Sequence, residues 1–346
     1  MKAQGSNPIM GNLPVMRVTL SFPFHVSGVY FAGPFYITDR KGRGCKFSRC
    51  YLCLFVCFST KALHLELASE LSTDVFMLCL RRFVSRRGKP LELYCDNGTN
   101  FVGANNEIRT FLKSNNESIS GFAADEGIKF KFSPAYSPHF GGLWEVGVKY
   151  DITRILGDKH LTFEELSTLF TQIEAILNSR PLTPISSDPN YLYPLTPAHF
   201  LIGRPLTSLP SDNLLDVKPN RLNRYQSLEK MRQNFWDRWR NEYYSELQQT
   251  HKWRINQRGL KEGDLFVIKE TNAPPLKWRM ARVHKLYPDS DGVSRVVDVV
   301  TSKGIIRRAV HNLCLLPEPE FTRNPEDFER GEDVRAKIKP PCCVQN

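Results

Sequence analysis

The chain lacks any run approaching the ~18 apolar residues of a membrane span, and its opening, MKAQGSNPIMGNLP, has no apolar signal-peptide segment. These absences argue against a membrane-spanning or secreted protein and predict an intracellular one. Nine cysteines, an odd number in a chain of 346 residues, do not make a disulfide framework. Cys50 and Cys53 have the two-residue gap of a zinc knuckle, but no second ligand pair stands nearby, and RCYLCLFVCF is too apolar for a metal loop. Strand alternation sets Cys53, Phe55 and Cys57 on one face and Leu52, Leu54 and Val56 on the other. These cysteines therefore read as small buried hydrophobes, and no structural zinc is expected.

Acidic residues are scarce in one stretch only. Residues 1–217 hold 22 Lys and Arg against 19 Asp and Glu, and 317–346 hold 5 against 7, but 218–316 hold 20 against 10. Nearly all of the formal net charge of +11 sits in that late segment. Its field and the release of counterions attract polyanions, which puts nucleic acid first among partners and an anionic membrane surface second. A merely soluble basic domain is the plain alternative. With 41% hydrophobic and 24% charged residues, the chain suffices for two or three domains with real cores.

After a short N-terminal segment, 1–20, residues 21–180 read as one α/β core. Residues 24–38 (FHVSGVYFAGPFYIT) form a strand, and 50–58 and 61–67 form two more around a tight turn at Ser59-Thr60, giving an antiparallel meander. A helix follows with its ends written locally. Ser72 or Thr73 caps it, Asp74 lies in the first turn, Val75, Phe76, Leu78, Cys79 and Phe83 are apolar, and four arginines precede Gly88 and Pro90. LELYC, 91–95, is a short buried strand that delivers Asp96 at its C-terminal end, the edge where parallel-type sheets hold ligands. Asn97-Gly98 turns the chain, and a helix at about 104–114 and a strand at 128–132 come next. SPAYSPHFGG cannot hold regular structure, and Leu143 to Leu156 reads as a helix with Glu145 in its first turn. The last core helix starts at a capping box, Thr162 to Glu165, and runs to about Asn178 before Pro181 stops it. This order predicts a mixed five-stranded sheet covered on both faces.

Pro- and Ser-rich residues 181–217 read as a connector with little regular structure, and 218–260 as a basic amphipathic helix carrying Trp236 and Trp239. Residues 261–317 hold four or five short alternating strands, with a hairpin turn at Asp291-Gly292, and predict a small β-barrel. Residues 318–346 read as a charged, disordered tail.

The strings MGNLP, AGPF, FVCFSTKALHLEL, RRFVSRRGKP, DNGTNFVGA, PHFGGLWE, LTFEELSTLFTQIEAILNSRPLTP and LTPAHFLIGRPL, followed by GDLFVIK and APPLKWRMARV, occur in this order. Over about residues 10–316 they resemble the integrase region of Pao/BEL-type long-terminal-repeat retrotransposon polyproteins. The resemblance implies an RNase H-like integrase core, a helical linker and a small SH3-like β-barrel. It also implies DNA bound largely without sequence preference, homo-oligomeric assembly and a nuclear site of action. The cofactor it implies is Mg2+ or Mn2+, held by three acids for in-line phosphoryl transfer. A His/Cys zinc-binding domain precedes the core in this family, and the chain begins just after where that domain would end.

By the resemblance the second acid is Asp96 and the third Glu145, with 48 residues between them, and the position of the first is taken by Tyr30 in GVYFAGPF. Two cations about 4 Å apart must be held by anionic oxygens. A phenol with a pKa of about 10 is neutral at working pH and offers one weak oxygen. Since the first acid bridges both metals in similar sites, metal binding is expected to be weakened. Asp39 lies nine residues beyond Tyr30, roughly 30 Å along an extended strand and on the opposite face. Glu66, on the third strand, reads as exposed. VKYDITRILGDK is about three residues, nearly one helical turn, shorter than the family pattern, leaving Lys149 and Arg154 to grip DNA ends. In the barrel Arg279, Arg282, Lys285, Arg307 and Arg308 are candidate phosphate contacts, with Trp278 as a stacking surface. A solvated charged face around a buried tryptophan is an equal reading. The function expected is a transposon-derived integrase that binds nucleic acid but is catalytically impaired. An active two-metal enzyme with a compensated site, or a non-enzymatic DNA- or protein-binding relic, are the alternatives.

Overall fold

The computed structural model describes residues 21–42, 44–114, 127–132, 152, 154–157, 159–186, 188, 190–258, 260–270, 273–290 and 294–317. Strands β1 (Val26–Thr38), β2 (Phe47–Cys57) and β3 (Leu63–Ala68) form an antiparallel meander. Helix α1 (Thr73–Arg87) then returns the chain to β4 (Glu92–Cys95), which lies parallel to β1. Helix α2 (Thr99–Ser114) leads to β5 (Lys129–Phe132), parallel to β4. A short β6 (Leu161–Thr162) pairs with the end of β1, and α3 (Phe163–Asn178) completes the core. The strand order β3-β2-β1-β4-β5, three antiparallel and two parallel, is the RNase H-like arrangement.

The apolar pattern explains the layers. Along β2, Cys50, Leu52, Leu54 and Val56 enter one core cluster, and Cys53, Phe55 and Cys57 enter the other. A central strand buried on both faces has no polar side to present. The first cluster is roofed by Leu166, Leu169, Phe170 and Ile173 of α3, the second by Phe76, Cys79 and Phe83 of α1 and Phe101 of α2. Burying each of these large apolar side chains contributes roughly 1.5–3 kcal/mol. The β1–β2 register shifts between Ala32 and Phe35. Gly33 has a φ of 134° there, and a Cβ would come within 3.2 Å of the Cys50 carbonyl oxygen, so a side chain would be both strained and crowded.

Both predicted caps form. Ser72 accepts a hydrogen bond from the Val75 N–H, and Thr162 and Glu165 bond reciprocally across the first turn of α3. Helix α2 begins at Thr99, five residues before the expected start. The cause is local: the Asp96 carboxylate accepts the Gly98 N–H at 2.8 Å, and the resulting turn feeds straight into the helix. Of the helix expected at Leu143 to Leu156, only its end, at Ile152 and 154–156, lies within the described residues, and it is helical. The predicted tail, 318–346, lies outside them.

The connector is more structured than its composition suggests. It carries a two-stranded ladder of β7 (Thr183–Pro184) and β8 (Pro194–Leu195), then a short helix α4 (Pro197–Ile202). Helix α5 (Arg224–Arg258) follows. Strands β9 (Leu265–Ile268), β10 (Met280–Pro288), β11 (Ser294–Thr301), β12 (Gly304–Ala309) and β13 (Leu313–Leu315) then form an antiparallel sheet in the order β12-β11-β10-β9-β13. This curled sheet resembles a small barrel, with β12 and β13 as its edges. Among the described residues no helix is long and apolar enough to cross a membrane.

Candidate active site and nucleic-acid interface

Strand β4 is buried through Leu93 and Cys95, and its end puts Asp96 in the open. The parallel register pairs Val26 with Glu92, Ser27 with Leu93 and Gly28 with Tyr94. The ladder ends there; Tyr30 lies two residues beyond Gly28 on β1 and Asp96 two residues beyond Tyr94, just past the end of β4. Tyr30 is half-buried and packs against the cluster roofed by α3. Of the three expected site positions, Tyr30 and Asp96 lie within the described residues. Glu145 and Lys149 lie outside the described residues, and Arg154 is exposed on a helical turn.

Among the described residues, Asp39, Glu92 and Glu66 are each engaged away from Asp96. Asp39 is at the far end of β1, where its carboxylate accepts the Lys46 N–H at 2.8 Å. Glu92 is four residues back along β4, about 13 Å away, and accepts from the Tyr94 hydroxyl at 3.2 Å. Glu66, expected to be exposed, is 5% exposed and is a correction. It faces α1, whose Arg82 and Arg86 bond its two carboxylate oxygens at 2.6 and 3.0 Å. The long arginines reach over the edge of β3 and enclose it. Among the described residues no three His, Cys, Asp or Glu side chains gather in a group able to hold a metal ion. Cys50 lies on one face of β2 and Cys53 and Cys57 on the other, so the three do not converge.

One residue beside Asp96 escaped the sequence reading. Asn100 is buried in the first turn of α2, and among the described residues its Nδ2 has no hydrogen-bond partner. A Cβ on Gly98 would lie 2.6 Å from Asn100 Oδ1 and 2.9 Å from Asp96 Oδ1, so glycine is what lets these two polar groups close around the turn.

The six positions predicted on the late segment divide sharply. Arg282 is 4% exposed and donates to the carbonyls of Gly263, Ser186 and Tyr191 at 2.7, 3.0 and 2.9 Å, and burial draws its pKa down. The connector covers the outer face of β10 there, so this predicted phosphate contact is buried against main-chain carbonyls. Trp278 is enclosed by Trp236, Trp239, Tyr243 and Tyr244, with ring centroids 4.9 to 5.9 Å away, and its Nε1 donates to Ser179 Oγ. Its rings are used in packing rather than offered to a base. Arg279 pairs with Glu270.

Lys285, Arg307 and Arg308 are exposed. The register sets Lys285 opposite Asp298 and Asp298 opposite Arg307. Arg307 grips Asp298 through Nε and Nη2 at 2.8 and 3.0 Å and stacks 4.4 Å over the Tyr287 ring, while Lys285 approaches that ring at 5.4 Å. The Arg307 fork and the Tyr287 hydroxyl hold the Asp298 carboxyl down at about 2. Asp298 was missed because its role depends on cross-strand register, which RVVDVVT does not reveal.

The strand order defines an RNase H-like core, and β4 places Asp96 at its C-terminal end. Residues 223–316 match the model of a family of unknown function, DUF5641. No curated protein matches the chain. Similar solved structures include the simian T-cell lymphotropic virus intasome in complex with PP2A regulatory subunit B56 gamma, with 12% identity, a TM-score of 0.36, and 86% of this chain and 80% of that chain covered. The catalytic core domain of BIV integrase shares 15% identity at a TM-score of 0.33, covering 52% of this chain and 95% of that chain. The HTLV-2 integrase catalytic core domain in complex with magnesium shares 16% at 0.32, covering 52% and 97%. The fold class rests on the strand order itself.

Proposed function

We propose that this chain is a transposon-derived integrase, of the Pao/BEL type its motifs resemble, that binds DNA but transfers strands poorly or not at all. The observation that supports this reading is the parallel β1–β4 register, Val26 to Gly28 against Glu92 to Tyr94, which, continued by two residues, brings Tyr30 toward Asp96. Integrase chemistry needs two divalent cations to polarise the scissile phosphate and generate the attacking hydroxide, and a bridging carboxylate to hold them. Asp96 and Glu145 with a neutral phenol in place of the bridging acid do not fit that requirement, since magnesium takes hard anionic oxygens in octahedral geometry. Asp96 also spends one oxygen on the Gly98 N–H. What supports DNA binding is the charge of 218–316, 20 basic against 10 acidic residues, while nuclear location and homo-oligomeric assembly rest on the family resemblance.

The test compares the unaltered protein with Tyr30→Asp in a strand-transfer assay with Mg2+ or Mn2+, alongside manganese binding by magnetic resonance and a melting curve to verify folding. The expected result is no strand transfer by the unaltered chain and tighter manganese binding by the variant. Strand transfer by the unaltered protein at the level of the variant would refute the reading.

A further inference from the structure

We propose that residues 223–316, the segment matched by the family of unknown function, are not a free-standing module but the obligate intramolecular partner of the RNase H-like core. Their docking surface is the outer face of α3 together with the connector. This does not depend on whether the chain joins DNA.

Helix α5 carries one apolar stripe, Leu228, Met231, Phe235, Trp239, Tyr243 and Leu247, at spacings of three and four residues. The stripe changes partner halfway. Leu228, Met231 and Phe235 enter the core cluster shared with Leu169, Phe170 and Ile173 of α3. Tyr243 and Leu247 enter a separate cluster with Leu265, Val267, Met280 and Cys314 of the curled sheet. Trp239 and Trp278 belong to both clusters. A module that folded alone would leave the first half of this stripe bare to water, and α3 would lose the same cover.

The polar contacts across the joint carry the same message. Arg224 forks onto Glu165 at 2.5 and 2.7 Å and donates to the His160 carbonyl. Tyr243 bonds the Pro181 carbonyl, and Arg282 bonds those of Ser186 and Tyr191. Gln233 accepts the Leu214 N–H and donates to the Asp212 carbonyl. Most of the specific side chains lie on 223–316, and most of their acceptors are main-chain atoms of the core and connector. A guanidinium buried among neutral carbonyls, as at Arg282, suits a permanent joint rather than one that opens and closes.

Cys50, buried in the core, and Cys314, buried in the curled sheet, report on the two sides of the joint. The full-length protein is treated with a thiol reagent in sub-denaturing urea, and modification at each cysteine is read by peptide mass spectrometry. If 223–316 and the core open as one unit, the two thiols are labelled at rates within about twofold of each other. Labelling of Cys314 more than about tenfold faster than Cys50 would show that the sheet opens alone and would overturn the proposal. A surface variant that leaves both cores intact adds a second reading. Arg224→Glu is expected to speed both sites together, and adding Glu165→Arg to the same chain is expected to restore them. Acceleration confined to Cys314 would count against the proposal.

Discussion

His64 lies on β3 between two carboxylates, with Nε2 3.0 Å from Glu66 and Nδ1 3.3 Å from Glu174. Arg87 also faces it, 3.3 Å from Nδ1 and bonded to Glu174, while Arg82 and Arg86 hold Glu66 from the α1 side. The rings of Phe55 and Phe83 flank it. Burial pulls the imidazole toward its neutral form, but hydrogen bonds to Glu174 and Glu66 outweigh that and raise its pKa above 6.5. Burial likewise pushes Glu66 up, and the bonds from His64 and Arg82 reverse it and leave the carboxyl below its ordinary 4.5. The signs fix two limbs of a stability profile. The raised histidine contributes stability fully below the unfolded pKa of 6.5, and this is lost as the pH rises through the folded value. The depressed glutamate contributes above 4.5, and this is lost as the pH falls through its folded value. Melting temperatures of the wild type and His64→Gln, measured from pH 6 to about 9, are therefore expected to converge as the pH rises. Two parallel curves would mean that folding does not shift the His64 pKa, and curves that diverge as the pH rises would mean that it is lowered.

Strand β3 ends the core sheet, and an open strand edge invites pairing with other chains. Here α3 closes it with side chains. Asn178 accepts the Leu63 N–H and donates to the Leu63 carbonyl, both at 2.8 Å, and Glu174 accepts the Leu65 N–H at 2.8 Å. One helical turn separates Asn178 from Glu174, so two successive positions on one helix face replace the missing strand. Asn178→Ala leaves a buried N–H and a buried carbonyl unsatisfied, at roughly 1–3 kcal/mol for each group. Urea unfolding is expected to show a loss of about 2–5 kcal/mol on that basis, whereas a loss under about 1 kcal/mol would mean that water replaces the amide. This closure was not legible in the sequence, because it joins residues 115 apart. The same holds for Glu66, whose burial depends on arginines from α1, and for Arg282 and Trp278, whose surroundings come from the connector and α5. What could be read was local: the two faces of β2, the caps at Ser72 and Thr162, and the delivery of Asp96 by a short apolar strand. The α2 start was misplaced because Asn97-Gly98 suggested a turn away from the helix, when the Asp96 carboxylate makes it a turn into the helix.

Across the molecule, the excess positive charge of the late segment is smaller in effect than its count. Arg232 is buried with Glu229, Arg240 is buried and paired with the half-exposed Asp237, Arg282 is spent on carbonyls, Arg279 on Glu270, and Arg307 on Asp298. On the β10–β12 face, Lys285 and Arg308 remain exposed without a carboxylate partner among the described residues, Lys285 resting against the Tyr287 ring and Arg308 against the Arg307 carbonyl. If the chain holds DNA through this face, the number of phosphates it neutralises is set by these few cations and not by the composition. Each phosphate contact on duplex DNA contributes about 0.9 to the slope of log affinity against log salt. Replacing Lys285 and Arg308 together by glutamine is therefore expected to flatten that slope by about 1.8 in a fluorescence-anisotropy titration with duplex DNA. Arg282→Gln is expected to leave the slope unchanged and to lower the unfolding midpoint instead, since its charge never reaches solvent. A double variant with an unaltered slope would move the DNA-binding surface off the curled sheet altogether.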